Sequence, residues 1–189
     1  MSSTVARRLG LIFLIVSTIG CDHVTKNIAT YALAGTPPRS FLADTVRLAY
    51  VENTGGFLSL GAALPPALRT AVFTVATGLM LIGLAVFALR SGLGGWPVLG
   101  LALFAAGGAS NWLDRVVRGA VVDFVNVGIG PVRTGVFNVA DVAIMVGVGI
   151  FLIAEVRREA PADGGDPPAQ ASEPSGADRE PPQPGRPPS

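Results

Sequence analysis

The spacing of charges constrains this chain most. Residues 70–89, between Arg69 and Arg90, carry none; 91–113, between Arg90 and Asp114, carry none; 134–154 is interrupted only by Asp141. A helix needs roughly 20 mostly apolar residues to cross the ~30 Å hydrocarbon core of a bilayer, and the first two runs have that length. A water-soluble core would have to bury three or more helices that are apolar all round, leaving too little polar face for solvent. Only 14% of the residues are charged, against about 25% in a typical soluble domain, which decides for the membrane.

A shorter apolar run, Leu9 to Cys21, follows Arg7 and Arg8. It is too short to span alone. It reads either as a cleaved signal peptide or as a spanning helix that continues through Asp22 to Lys26. With the second reading the pattern predicts an all-α polytopic membrane protein with four transmembrane helices, at about 8–26, 66–89, 96–113 and 136–156, within a domain of residues 1–158. Loops 27–65 and 114–135 would lie outside. The alternating, β-branched stretch TVRLAYVENTGGFLSL (45–60) predicts a small strand-containing extracytoplasmic loop domain. Residues 159–189 hold nine of fifteen prolines and no aromatic, the composition of a disordered tail. With six acids against two arginines, that tail is no nucleic-acid-binding arm.

Arg7, Arg8, Arg90, Arg157 and Arg158 flank one side of the predicted spans, so both termini are expected in the cytoplasm of a bacterial cell (inner) membrane protein. Arg69, Arg115, Arg118 and Arg133 fall on the outer side, against the rule. At ~1.5 Å per residue, Asp22 lies roughly 21 Å from Arg8 and Asp141 roughly 24 Å from Arg157. Both carboxylates are then inside the slab, toward its outer face, with Asp114 and Asp123 emerging nearby. Charges at such depth mark function by default. Asp44 and Glu52 read instead as helix-end residues facing headgroups. For Asp114 beside Arg115, an ion pair and direct chemistry both stay open.

One histidine and one cysteine leave no HExxH or Cys/His zinc site, and no metal or cofactor is expected. A Ser–Lys dyad would need Lys26, the only lysine, with Ser59 or Ser110. No serine lies in a GxSxG context and no glycine loop carries the phosphate-binding lysine. The remaining chemistry is an aspartate pair, in which one carboxyl keeps a proton while the other acts as base toward water.

Four stretches, DHVTK (22–26), NTGGFLS (53–59), GGASNWLDRVVRGAVVDFV (107–125) and VFNVADVAIMVG (136–147), together resemble the lipoprotein signal peptidases, or signal peptidase II, over about 10–155. The resemblance implies a membrane aspartic endopeptidase that cleaves diacylglyceryl-modified prolipoproteins before the lipidated cysteine. It implies Asp123 and Asp141 as catalytic dyad, with Asp22, Lys26, Asn53, Gly107, Asn111, Asp114, Arg115, Asn138 and Ala140 in supporting or substrate-binding roles. It also implies prolipoproteins and membrane lipids as partners and inhibition by globomycin. Asn138, three residues before Asp141, is expected on the same helix face; Gly107 would allow close approach; Asp114 with Arg115 would pin loop 114–135. The sequence departs from the family at Gly56-Phe57-Leu58, where Ala-Ala-Phe is usual, at Ser110, where glycine is frequent, and at Trp112-Leu113.

Two rivals are weighed. Arg7-Arg8, an apolar run and STIGC before Asp22 resemble a lipoprotein cleavage site ahead of Cys21, but three spans follow it. A small transporter or proton channel also uses intramembrane aspartates, but it needs polar residues through the whole thickness, and the other halves of helices two to four are nearly bare.

Overall fold

The structure is a computed structural model that describes residues 3–56, 61 and 63–159. The tail beyond Glu159, and with it the expectation of disorder there, lies outside the described residues. Helix α1 (Ser3–Leu33) is followed by strands β1 (Arg39–Phe41) and β2 (Val46–Asn53). An apolar span over Pro66–Arg90 comprises α2 (Pro66–Thr70), a π-helical segment (Ala71–Ala76) and α3 (Thr77–Arg90). Then come α4 (Gly95–Arg118), β3 (Val121–Ile129), β4 (Val132–Arg133) and α5 (Val139–Glu159).

Among the described residues, three helices are long and apolar enough to cross a membrane: Thr4–Leu33, Pro66–Arg90 and Val139–Arg158. Helix α4 has the length but is diluted by Pro97, several glycines, Ser110, Asn111 and Trp112. It packs against α1, α3 and α5, so its small and polar residues meet protein. Large apolar side chains such as Phe13, Leu79, Met145 and Leu152 point outward. The buried residues of this part include as many polar or charged side chains as apolar ones. That inversion belongs to a chain whose surroundings are lipid, where polar groups must find partners inside.

Several limits differ from the sequence reading. Helix α1 runs on to Leu33 instead of ending near Lys26, because no breaker stands between Lys26 and Gly35, whose φ is +72°; the Thr25 and Thr30 hydroxyls on the way are satisfied by the carbonyls of Cys21 and Lys26. Segment 114–135 is not a loop. Asp114 to Arg118 complete α4, which stops at left-handed Gly119 (φ +76°), and the β-branched VVDFVNVGI forms β3. The sheet is antiparallel in the order β1-β2-β3-β4. An irregularity between Leu48 and Val51 shifts the β2–β3 register so that Val51 faces Asp123 and Asn53 faces Val121.

The π-helical segment exposes backbone carbonyls from the regular ladder. Trp112 Nε1 donates to Thr74 O at 2.8 Å, which gives the unusual tryptophan a structural purpose. Helices α4 and α5 approach through glycine. A Cβ on Gly100 would stand 2.6 Å from Gly147 O, one on Gly147 would stand 2.6 Å from Gly100 O, and one on Gly107 would collide with Ala140 O. Such small-residue contact is the usual way helices associate in lipid. Gly100→Leu should therefore force α4 off α5 and lower stability by about 1–3 kcal/mol, read as a drop in the unfolding temperature in detergent. Gly83→Leu, at a position with no atom within 4 Å of a Cβ, should not.

Candidate active site

The site forms where β3, the C-terminal half of α1, the end of α4 and the start of α5 meet. At its base, Lys26 is fully buried. Its Nζ lies 2.6 Å from Asp22 Oδ2 and 2.7 Å from Asp114 Oδ2, and donates to Asn111 Oδ1 at 2.8 Å. The approach to Asp114 is an ion-pair contact outside hydrogen-bond angles, since both Asp114 oxygens lack a hydrogen-bond partner. His23 Nδ1 stands 3.7 Å from Asp114 Oδ1. Asp22 is held at both oxygens: Ser110 Oγ donates to Oδ2 at 2.7 Å, and the Ala140 amide to Oδ1 at 2.8 Å.

Asn111 transmits this arrangement upward. Its Oδ1 accepts from Lys26 and, at 3.2 Å, from Asn138 Nδ2. With the oxygen so occupied the amide has one sensible orientation, and its Nδ2 donates to Asp141 Oδ1 at 2.8 Å.

Asn138 and Asp141 form a reciprocal capping box at the start of α5. The Asp141 amide donates to Asn138 Oδ1 at 2.9 Å, and the Asn138 amide donates to Asp141 Oδ2 at 3.1 Å. The three-residue spacing thus reflects helix initiation: Asn138 stands just before the helix, not on its face as the spacing suggests. The positive end of the α5 dipole also favours a carboxylate here.

Asp123 arrives from β3. Its Oδ1 accepts from Asn138 Nδ2 at 2.7 Å and its Oδ2 from Asn53 Nδ2 at 2.9 Å. Asn53 also donates to Gly56 O and accepts from the Gly55 amide. Burial pushes the Asp123 carboxyl up to about 6; the Asn53 and Asn138 bonds oppose that and the charge of Asp141 adds to it. Asn138 touches both aspartates, so the two carboxyls share one network.

Arg115 does not pair with Asp114, whose cation is Lys26. Its Nη1 donates to Asn111 O at 3.3 Å and its guanidinium lies 5.8 Å from the centre of the Phe73 ring. It belongs to α4 and pins no loop, because a helix directs successive side chains apart. Gly107 and Ala140 meet each other at the α4–α5 contact.

Asp44 and Glu52 lie at no helix end. Asp44 sits in the β1–β2 turn with φ +67° and pairs with Arg47 and Arg133, and the Arg47 and Ser40 bonds hold its carboxyl well below the usual range. Glu52, on β2, accepts from the Tyr50 hydroxyl at 2.6 Å. Ser110, a departure from the family and a candidate nucleophile by sequence, instead donates to Asp22, a role at which only its place beside Asn111 on α4 hints.

Residues 14–157 match the family described as signal peptidase (SPase) II. Curated relatives include the lipoprotein signal peptidase of Streptococcus pneumoniae, 33% identical over 148 residues, covering 77% of this chain and 92% of the relative. That of Sphingopyxis alaskensis is 38% identical over 149 residues, covering 78% and 84%, and that of Mycobacterium tuberculosis 31% identical over 157, covering 79% and 73%. A solved structure described as a bacterial membrane enzyme superposes with a TM-score of 0.70 at 25% identity, covering 80% of this chain and 90% of that one.

The capping box separates two contributions of Asn138. Asn138→Ala should cost about 1 kcal/mol of stability, while Asn138→Ser keeps a capping oxygen and should cost less. Both lose the amide bond to Asp123, so both should cut peptidase turnover at least ~10-fold. Thermal unfolding and single-turnover assays on the same preparations check the split; a serine variant with full turnover would show that the Asp123 bond is dispensable.

Proposed function

Because the chain belongs to the signal peptidase II family, and is therefore a multi-pass membrane peptidase, we propose that it removes the signal peptide from diacylglyceryl-modified prolipoproteins by cutting before the lipidated cysteine, with Asp123 and Asp141 as the catalytic pair. The observation that carries this reading is the double attachment of Asn138, which donates its side-chain amide to Asp123 and its backbone amide to Asp141. Two carboxyls in one partly desolvated network do not both ionise easily. The pair keeps a shared proton; one member takes a proton from water as the water attacks the scissile carbonyl, and the other donates to the carbonyl oxygen. Protonation belongs to the pair and not to either residue alone.

In this reading α4 is the fourth span, shielded from lipid by its neighbours. Both termini lie in the cytoplasm of the bacterial inner membrane, and the sheet covers the outer ends of the helices. The substrate enters sideways between helices with its diacylglyceryl group still in the bilayer. Asp22, Lys26, Asn53, Asn111, Asn138 and Ala140 hold the pair; Arg115, beside Phe73, faces the substrate.

The transporter alternative requires polar groups along the path. The buried polar side chains among the described residues are Asp22, Lys26, Asn53, Ser110, Asn111, Asp114, Asp123 and Asn138, all in the network at this one end. That favours a reaction site over a conduit.

Detergent-purified protein should cleave a diacylglyceryl-modified prolipoprotein before the modified cysteine. Asp123→Asn and Asp141→Asn should each lower the rate by ~1,000-fold or more while remaining folded and inserted, read by product mass and by unfolding temperature. Retained cleavage in either variant removes that residue from the pair.

A further inference from the structure

A second constellation lies at the other end of the bundle, about 18 Å along α1 from Asp22 at ~1.5 Å per residue. Gly10, Leu11 and Leu14 of α1 face Val98 and Leu99 of α4 across an open, almost wholly apolar groove of about 550 Å³. Arg7 stands at its mouth, with one guanidinium nitrogen 3.2 Å from where a Cβ on Gly94 would sit. An adjoining groove of about 580 Å³ shares Gly95 and Trp96 with the first and adds Arg157 and Arg158 from the end of α5. Arg158 also meets Glu155 Oε1 at 3.4 Å.

Trp96 lines both grooves, with Arg7 in one and Arg157 and Arg158 in the other; it is exposed and placed as an interfacial anchor. An apolar slot inside the bilayer suits an acyl chain. Its basic mouth complements a negative headgroup, an attraction worth about 1 kcal/mol per Lys or Arg near a membrane surface. We propose that this groove binds one anionic diacyl phospholipid, with an acyl chain between α1 and α4 and the headgroup charge met by Arg7, Arg157 and Arg158. Nothing in the proposal uses the aspartate pair, so it stands or falls apart from the peptidase mechanism.

The groove offers a clean perturbation. A Cβ on Gly10 would have no atom within 4 Å, so Gly10→Phe starts its side chain in open space beside the groove and alters no arginine. The full chain, in a neutral detergent, is equilibrated with equal amounts of phosphatidylglycerol and phosphatidylcholine bearing the same acyl chains, and retained lipid is counted by native mass spectrometry. The wild type should retain a single phosphatidylglycerol with at least ~10-fold preference. Gly10→Phe and Arg7→Gln should each reduce that preference to less than ~2-fold, with unfolding temperatures like that of the wild type. Equal retention of the two lipids by the wild type would overturn the proposal. So would a preference that survives Gly10→Phe, which would mark diffuse attraction to surface arginines without a built site.

Discussion

Everything at the functional end of the molecule rests on one buried ammonium. Lys26 has no access to water, and an unpaired charge there would cost several kcal/mol. It pairs with the carboxylates of Asp22 and Asp114 and donates to Asn111 Oδ1, groups that belong to two different helices, and Asp22 reaches a third through the Ala140 amide. The Asp22 carboxyl is met further by the Ser110 hydroxyl and by the Ala140 amide at the positive end of the α5 dipole. One ion cluster thus ties α1, α4 and α5 together at this end.

The same cluster explains why the interior is polar at one end and made of small residues elsewhere. In lipid, apolar side chains gain little by facing inward. The helices associate where glycine allows backbone contact, as at Gly100, Gly107 and Gly147, and where charges have no other place to go. The sheet extends the logic beyond the helices. β3 sets Asp123 beside Asn53 of β2, and Asn138 ties it to the first turn of α5. A carboxylate on a strand and one on a helix are brought to a common amide.

Much of this was legible in the chain. Runs with no charge, or with Asp141 alone, marked the spans around Pro66–Arg90 and Val139–Arg158, and spacing along the chain brought Asp22, Asp114, Asp123 and Asp141 to one end. The asparagine three residues before Asp141 was visible too, although its capping geometry was not, since a capping box and a shared helix face have nearly the same spacing. Strand β3 was hidden because VVDFVNVGI follows directly on α4 and, in a chain divided into spans and connections, falls into a connection. The overrun of α1 was hidden because threonine is a weak helix former, while here the Thr25 and Thr30 hydroxyls are satisfied within the helix and no glycine or proline stands between Lys26 and Gly35. The partner of Asp114 could not be read at all: its neighbour Arg115 is adjacent in sequence, but Lys26 is the cation that three-dimensional packing delivers.

In the proposed mechanism Lys26 acts on catalysis through Asn111, by fixing the amide that serves Asp141. A double-mutant cycle measures that directly, with Lys26→Met, Asn111→Ala and the double variant compared in turnover of a lipidated prolipoprotein, per folded molecule. Coupled residues are non-additive, so the double variant should be no slower than the slower single variant, within about 2-fold. If the two losses simply multiply, Lys26 and Asn111 act independently, and the buried ammonium is scaffolding alone.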